Sequence, residues 1–198
     1  MKKGGCKKEF RIRAISSDLC EPWFLHKHYA KRKPSVSFAF GLYDADLVLV
    51  GVCSYGRPMS HALVSGAMNG DYEDRFLELN RLVVNDGLPP NTLSYFVSQT
   101  FSLLPSPCVV VSYADTAQNH HGYIYQATNW VYTGLSAKKN DYKIRGLEHL
   151  HSATVADRAG RNDKAGVESR NESVRKIDVL RRMYGDDLYV AERSRKHG

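Results

Sequence analysis

An apolar run, CVVV at residues 108–111, passes straight into YADTAQNHHGYIYQATNWVYTG at 113–134. The run is short and rich in β-branched residues, the mark of a buried strand. The stretch after it packs Asp115, His120, His121, Tyr123, Tyr125, Asn129 and Trp130 into a small span. Polar groups just past the end of a central strand sit where open α/β sheets place their chemistry. The order predicted is a strand over 108–113, an Asp-bearing turn, a helix over about 120–128 and a strand over 130–133.

The rest of the chain fits around that junction. Phe10, Ile12 and Ala14 alternate with Arg11 and Arg13, a half-exposed strand. Ser16 or Ser17 can cap a helix that runs to about Tyr29, where Lys31-Arg32-Lys33-Pro34 stops it. Residues 36–43 and 47–55 read as a hairpin turned by Asp44-Ala45-Asp46, and 76–84 (FLELNRLVV) as a third strand of that group. Residues 57–74 read as a loop. Leu93, Phe96, Val97, Phe101 and Leu104 mark a helix over 92–104, and Val174, Ile177, Leu180 and Met183 another over 173–184. The stretch 157–171 has almost no apolar content and reads as a loop. The fold class expected is α/β, or α+β with a mixed sheet.

At 198 residues with 42% hydrophobic and 25% charged residues, the composition is that of an ordinary globular domain. No apolar run approaches the roughly 20 residues that span a bilayer, and no apolar segment follows the basic start as in a secretory signal. The four cysteines lack CxxC spacing, which points to free thiols in a reducing cytoplasm. Net charge is +7, and it is polarised. Residues 1–33 carry ten Lys/Arg against three acids, residues 34–137 three against eight, and residues 138–198 fifteen against ten. A mildly acidic centre between basic ends suits a polyanionic partner such as double-stranded DNA. Lys31, Arg32, Lys33, Lys139, Lys143 and Arg145 are candidate phosphate contacts, which give affinity and salt dependence rather than sequence choice. The expected division is a core at 1–137 and a basic extension at 138–198 that packs on the core and contacts DNA.

Leu79-Asn80-Arg81-Leu82-Val83-Val84, then Asn91 and Ser94, then Ala114-Asp115, and above all 121–134 (HGYIYQATNWVYTG), resemble the Mom family of bacteriophage DNA-modification proteins. His28-Tyr29, Tyr184–Leu188 (YGDDL) and Arg195-Lys196-His197 agree with it. The element order also resembles the GNAT acyltransferase superfamily, with antiparallel N-terminal strands and splayed central strands. The resemblance implies an enzyme that converts the exocyclic amine of adenine in phage DNA to a carbamoylmethyl derivative, protecting the DNA from host restriction. It places the protein in the bacterial host cytoplasm. A base in a duplex is reached by flipping it out, with Tyr55, Tyr123 or Tyr132 as stacking candidates. Related proteins continue past Gly198, so a last strand is expected beyond this chain. Oligomeric state is silent, a homodimer being one option.

The product named by the resemblance has a methylene on the adenine nitrogen, which plain acyl transfer does not supply. A redox-active metal answers that need, and the resemblance implies iron. The implied ligands are His28, Tyr29, Asp115 and Tyr125, an imidazole, carboxylate and phenol set suited to iron. Each has a plainer reading: a helix-end pair for His28-Tyr29, a helix cap for Asp115, a core tyrosine for Tyr125. Arg81 lies between apolar residues and needs either an acid, Glu78 or Asp115, or an anionic ligand. Arg81, Asn91 and Ser94 are the candidate donor-binding residues, with Asp115, Tyr125, Arg81 and Ser94 the catalytic set. One departure bears on acetyl-CoA or a related acyl donor. GNAT enzymes cradle the coenzyme pyrophosphate with a glycine-rich turn. Here residues 85–92 read NDGLPPNT, with one glycine, one acid and two prolines that lack an amide donor. Two rival readings remain: an ordinary GNAT acetyltransferase on a small amine or protein, and a non-catalytic DNA-binding module.

Overall fold

The computed structural model describes residues 9–66, 72–137, 140–150, 154–155, 176–192 and 196–198. Its centre is a mixed sheet of five strands in the order β1-β2-β3-β4-β5. These are β1 (Arg11–Ala14), β2 (Phe38–Tyr43), β3 (Leu49–Gly56), β4 (Phe76–Val84) and β5 (Val109–Val111). The first four are antiparallel neighbours, and β5 runs parallel to β4. The helices are α1 (Ser17–Pro22), α2 (His61–Gly66), α3 (Thr92–Phe101) and α4 (Tyr123–Ala127). The class is mixed α/β, as the alternation of apolar positions predicts.

Two apolar layers cover the sheet. Phe40, Leu42, Cys53, Tyr55, Leu77 and Leu79 pack with Phe96 and Val97 of α3. Ala39, Val52 and Val83 pack with Cys20 of α1 and Phe24. Along β4 the side chains change layer part-way. Leu77 and Leu79 lie in the α3 layer, and so do Leu82 and Val84, while Val83 lies in the α1 layer. Strict alternation would put 79 and 82 on opposite faces. A bulge explains the shift: Ser54 pairs with Arg81 and Tyr55 with Leu79, which leaves Asn80 as the extra residue. The bulge moves Arg81 out of the apolar α3 layer and onto the α1 face.

Asn80 is bonded on both sides. Its Oδ1 accepts from Ser54 Oγ (2.7 Å), and its Nδ2 donates to the Ser35 carbonyl (2.7 Å). Ser35 lies so close to β3 that a Cβ on Gly56 would stand 2.0 Å from its carbonyl oxygen. Arg81 Nη2 donates to the Arg32 carbonyl (3.3 Å). Residues 28–35 are thereby strapped across β3 and β4.

The expected first helix ends early. α1 gives way to a π-helical turn, Trp23–Lys27, and His28 is already extended. Pro22, with no amide to donate, lies where the α-helix ends. His28 and Tyr29 therefore sit on the strap, not on a helix. The expected strand at 108–113 shortens to β5, and a separate strand, β6 (Ala114–Asp115), follows it. The expected strand at 130–133 is irregular. Asn129 takes a left-handed backbone (φ 61°) and Trp130 N–H bonds back to the Tyr125 carbonyl, so the chain curls instead of extending.

The chain forms two compact units: one runs to Leu135 and regains Lys196–Gly198, and the other is Ser136–Arg195. In the second, β7 (Asn140–Ile144) pairs antiparallel with β8 (Leu188–Glu192), and α5 (Lys176–Tyr184) packs Val179 and Leu180 against Ile144 and Val155. The stretch 157–171 and Lys139 lie outside the described residues. In the first unit, β9 (Lys196–His197) pairs with β6.

Gly56→Ala is expected to cost about 2–3 kcal/mol, because the new methyl must displace either the Ser35 backbone or β3. Urea unfolding of the variant checks it; an unchanged midpoint would show that the strap is free to lift.

Candidate active site

β4 and β5 pair only from Phe76↔Val109 to Glu78↔Val111. β4 runs on to Val84, while the chain after β5 turns away into β6. Ser112 holds the fork. Its Oγ lies 2.9 Å from the Leu79 carbonyl and 2.7 Å from the Tyr125 hydroxyl. A carbonyl only accepts, so the single serine proton goes to Leu79 and the phenol donates to Ser112. Tyr125, on α4, is thus fixed at its tip, and its ring packs on Trp130 with centroids 5.1 Å apart. Burial pushes its pKa up, while the Ser112 bond pulls the other way.

Asp115 ends β6 and caps the turn after it, Oδ1 accepting from Ala117 N–H at 3.0 Å. Its Oδ2 lies 4.0 Å from Lys196 Nζ on β9. His28 stacks on Tyr29 (4.3 Å between centroids), and Tyr29 meets the edge of His120 at 5.8 Å. The His28 pKa is held down to about 3, first by burial and then by the positive field of Arg81, His120 and Lys196. The imidazole is therefore neutral. Its Nδ1 accepts from Ala30 N–H (3.0 Å), which puts the ring proton on Nε2. Tyr29 is pushed up by burial and by Asp115, against a smaller opposite pull from Arg81, and Tyr125 adds to the rise. His28, Tyr29, Arg81, Asp115, His120, Tyr125 and Lys196 thus form one electrostatic neighbourhood around the fork.

Arg81 has neither of its expected acid partners at ion-pair distance. Besides the Arg32 carbonyl, Nη1 donates to the Asn80 carbonyl (2.6 Å). Nε is buried and has no hydrogen-bond partner among the described residues. Burial lowers the Arg81 pKa, with Tyr29 and Glu78 opposing. Glu78, in the last β4–β5 pair, is pushed up by burial while Lys196 and Arg81 draw it down. A half-buried cation bonded to carbonyls alone keeps most of its field for whatever enters the fork.

Ser94 and Asn91 stand apart from this group. Ser94 Oγ donates to the Asn91 carbonyl (3.0 Å), and Thr92 Oγ1 to the Pro89 carbonyl (2.7 Å). Asn91 is left-handed (φ 67°), and its side chain makes no capping bond. Asn85 accepts from Lys27 Nζ. With these hydroxyls turned back on the loop and two prolines in it, the turn does not fit a coenzyme pyrophosphate. Among the described residues no three His, Cys, Asp or Glu side chains gather to hold a metal. The set His28, Tyr29, Asp115 and Tyr125 draws half its donors from tyrosine instead. Its donor chemistry suits iron, with one adjustment: binding through His28 Nε2 needs the ring proton to leave that nitrogen.

Of the basic candidates, Lys33 is ion-paired to Glu21 (2.6 Å). Lys143 Nζ lies 3.4–3.5 Å from the Glu148 and Leu150 carbonyls. Lys31 and Arg145 are exposed, and the Arg32 carbonyl anchors the strap. Tyr55 is fully buried with its hydroxyl on Thr100, which removes it as a stacking platform; Tyr123 and Tyr132 are exposed. Sequence reasoning missed Ser112 and the double role of Asn80. The three-residue step between Leu79 and Leu82 was the signal for the bulge.

The fold and cluster define a mixed α/β protein whose reactive groups gather where two parallel strands part. Its sequence matches the model of the Mom protein family over residues 9–194, and the chain belongs to that family. It is 28% identical over 193 residues to the methylcarbamoylase Mom of Escherichia phage Mu, an alignment covering 96% of this chain and 79% of that protein.

Ser112→Ala is expected to lower stability by about 1–3 kcal/mol, because it strips a partner from both the Leu79 carbonyl and the Tyr125 phenol. Denaturant titration beside Tyr125→Phe reads it. The serine change should cost more, and equal losses would mean that the Leu79 bond contributes nothing.

Proposed function

We propose that this protein is a DNA-modifying enzyme that converts the exocyclic amine of adenine in phage DNA to its carbamoylmethyl derivative, blocking restriction. Family membership and the phage Mu relative support the reaction class. The observation that carries the reading to this chain is the gathering of Tyr29, Arg81, Asp115 and Tyr125, with neutral His28, at the β4–β5 fork. A fork where two parallel strands part supports the GNAT-type acyltransferase architecture that we assign to the chain.

His28, Tyr29, Asp115 and Tyr125 would hold the iron. Bound there, the metal would supply one-electron chemistry, one route to the nitrogen–methylene bond that plain acyl transfer does not form. The chain's own groups do the rest. Arg81 presents a half-buried positive charge that can draw in an oxygen of the donor. Ser112 fixes the Tyr125 phenol, and Lys196 fixes the second oxygen of Asp115. Lys31, Arg32, Lys33 and, in the second unit, Lys143 and Arg145 supply the phosphate contacts. An acetyl-CoA-dependent reaction on a small amine is the less favoured reading, because the turn at 85–92 offers the pyrophosphate no cradle.

Nucleoside mass spectrometry of plasmid DNA from bacteria making the protein tests this. Deoxyadenosine carrying an added carbamoylmethyl group is expected, and Asp115→Ala or Tyr125→Phe should reduce it about a hundredfold or more. Fluorescence anisotropy should show DNA affinity within about twofold of wild type for both variants. Unmodified DNA from folded wild-type protein, or DNA affinity lost together with the modification, would sink the catalytic reading.

A further inference from the structure

Glu78 is the acid of the fork that the proposed activity leaves without a task. Its neighbours Leu77 and Leu79 both lie in the α3 layer, so Glu78 faces the other side of the sheet. Its partner on β3 agrees. Gly56 pairs with Glu78, and a Cβ on Gly56 would point at the Ser35 carbonyl of the strap. The bulge at Asn80 brings Arg81 to that same face. Glu78 therefore shares a face with Arg81 and with the segment that carries His28 and Tyr29. It also stands at the right height. Glu78↔Val111 is the last rung that joins β4 to β5, and the next residue of each chain, Leu79 and Ser112, opens the fork.

The carboxyl is half-buried. Burial raises its pKa, while a hydrogen bond from the Met59 N–H, in the loop after β3, and the charges of Lys196 on β9 and Arg81 on β4 draw it back. Tyr113 and Tyr125 are the other titratable groups in its field. No Lys, Arg or His among the described residues stands at ion-pair distance from it. A carboxylate has about four lone-pair sites, so one backbone N–H leaves most of them open.

The other bases of the fork are engaged. Asp115 holds the Ala117 N–H and faces Lys196. His28 spends its Nδ1 lone pair on the Ala30 N–H. Burial keeps Tyr29 and Tyr125 as protonated phenols. Burial acts on Glu78 in the useful direction, because a carboxylate made more basic is a better proton acceptor near neutral pH.

The exocyclic amine of adenine starts with two N–H bonds and ends with one. Where the carbamoylmethyl group arrives on a leaving group, the nitrogen lone pair makes the bond to the methylene carbon. The leaving group departs with the electron pair of its own bond, and one N–H proton goes to a base. We propose that Glu78 is that base: its carboxylate accepts a hydrogen bond from the exocyclic amine and takes the proton as the nitrogen–carbon bond forms. The inference rests on the reading of adenine in DNA as substrate and gives that reading a further catalytic residue.

Two readouts test the contact and the proton transfer separately. Anisotropy compares two G·C duplexes, one with a mismatched adenine and one with purine, the same ring without the amine, in its place. A mismatched base costs little to unstack. Wild type should bind the adenine duplex about tenfold more tightly than the purine duplex. Nucleoside mass spectrometry of plasmid DNA, sampled early after induction, reads the modification. Glu78→Gln keeps an acceptor oxygen but cannot take a proton. It should keep the preference for adenine and lose modification about a hundredfold. Glu78→Asp should recover part of that loss. Glu78→Ala should lose both preference and modification, with the purine duplex bound as by wild type. Modification at the wild-type rate by Glu78→Gln overturns the base. Wild type indifferent to the amine, with both duplexes bound, overturns the contact and the base with it. Loss of purine-duplex binding in Glu78→Gln or Glu78→Ala makes Glu78 a structural acid and overturns the proposal. A preference erased by Glu78→Ala, beside wild-type plasmid that stays unmodified, keeps the contact and overturns the proposed reaction instead.

Discussion

One extra residue in β4 governs the site. Without the bulge at Asn80, the alternation of Leu77 and Leu79 would carry Arg81 into the apolar layer beneath α3, where a guanidinium has no place. The bulge shifts the register by one and turns Arg81 to the opposite face. The residue that is spare in the ladder is put to use by its side chain, which binds Ser54 on β3 and the Ser35 carbonyl on the strap. The same few atoms therefore place the cation and hold down the segment that carries His28 and Tyr29. Gly56 belongs to this arrangement, since any side chain there would lift the strap from the sheet.

The second constraint is the parting of β4 and β5. Parting two strands exposes backbone carbonyls that need partners. Ser112 meets that need at Leu79 and, with its remaining lone pairs, takes the Tyr125 phenol. One hydroxyl thus couples the opening of the sheet to the aim of a tyrosine on α4. The electrostatics around the fork follow from burial: His28 is kept neutral, while Tyr29, Tyr125 and Glu78 are pushed toward their protonated forms. Such a group of displaced titrations is what sites of proton and group transfer have in common.

Much of this was legible in the chain. β4 emerges with the bounds read from FLELNRLVV, because its apolar content is dense and its flanks are turns. The junction at 108–115 carries both a strand and the Asp, as its composition implies. What alternation does not reveal is departure from alternation. The bulge lies in a three-residue step that looks like noise, and the curl after Asn129 depends on a left-handed residue that aromatic neighbours mask. The end of α1 was misjudged because residues 23–27 stay helical in a π-turn, and nothing in their composition marks where the α-helical hydrogen bonds stop. The pairs β7–β8 and β6–β9 join residues far apart in sequence, which local patterning does not detect.

The β6–β9 pairing makes the first unit discontinuous: Ser136–Arg195 is, in effect, an insertion between Leu135 and Lys196. During synthesis Asp115 emerges long before the lysine that faces it. The ladder between them closes only after the whole inserted unit has been made, and closing so long a loop carries an entropic cost that local structure does not. The contact between Lys196 and Asp115 therefore forms after the strands of the sheet have been made. A nascent chain can shape its five-stranded sheet before the lysine that faces Asp115 has been made.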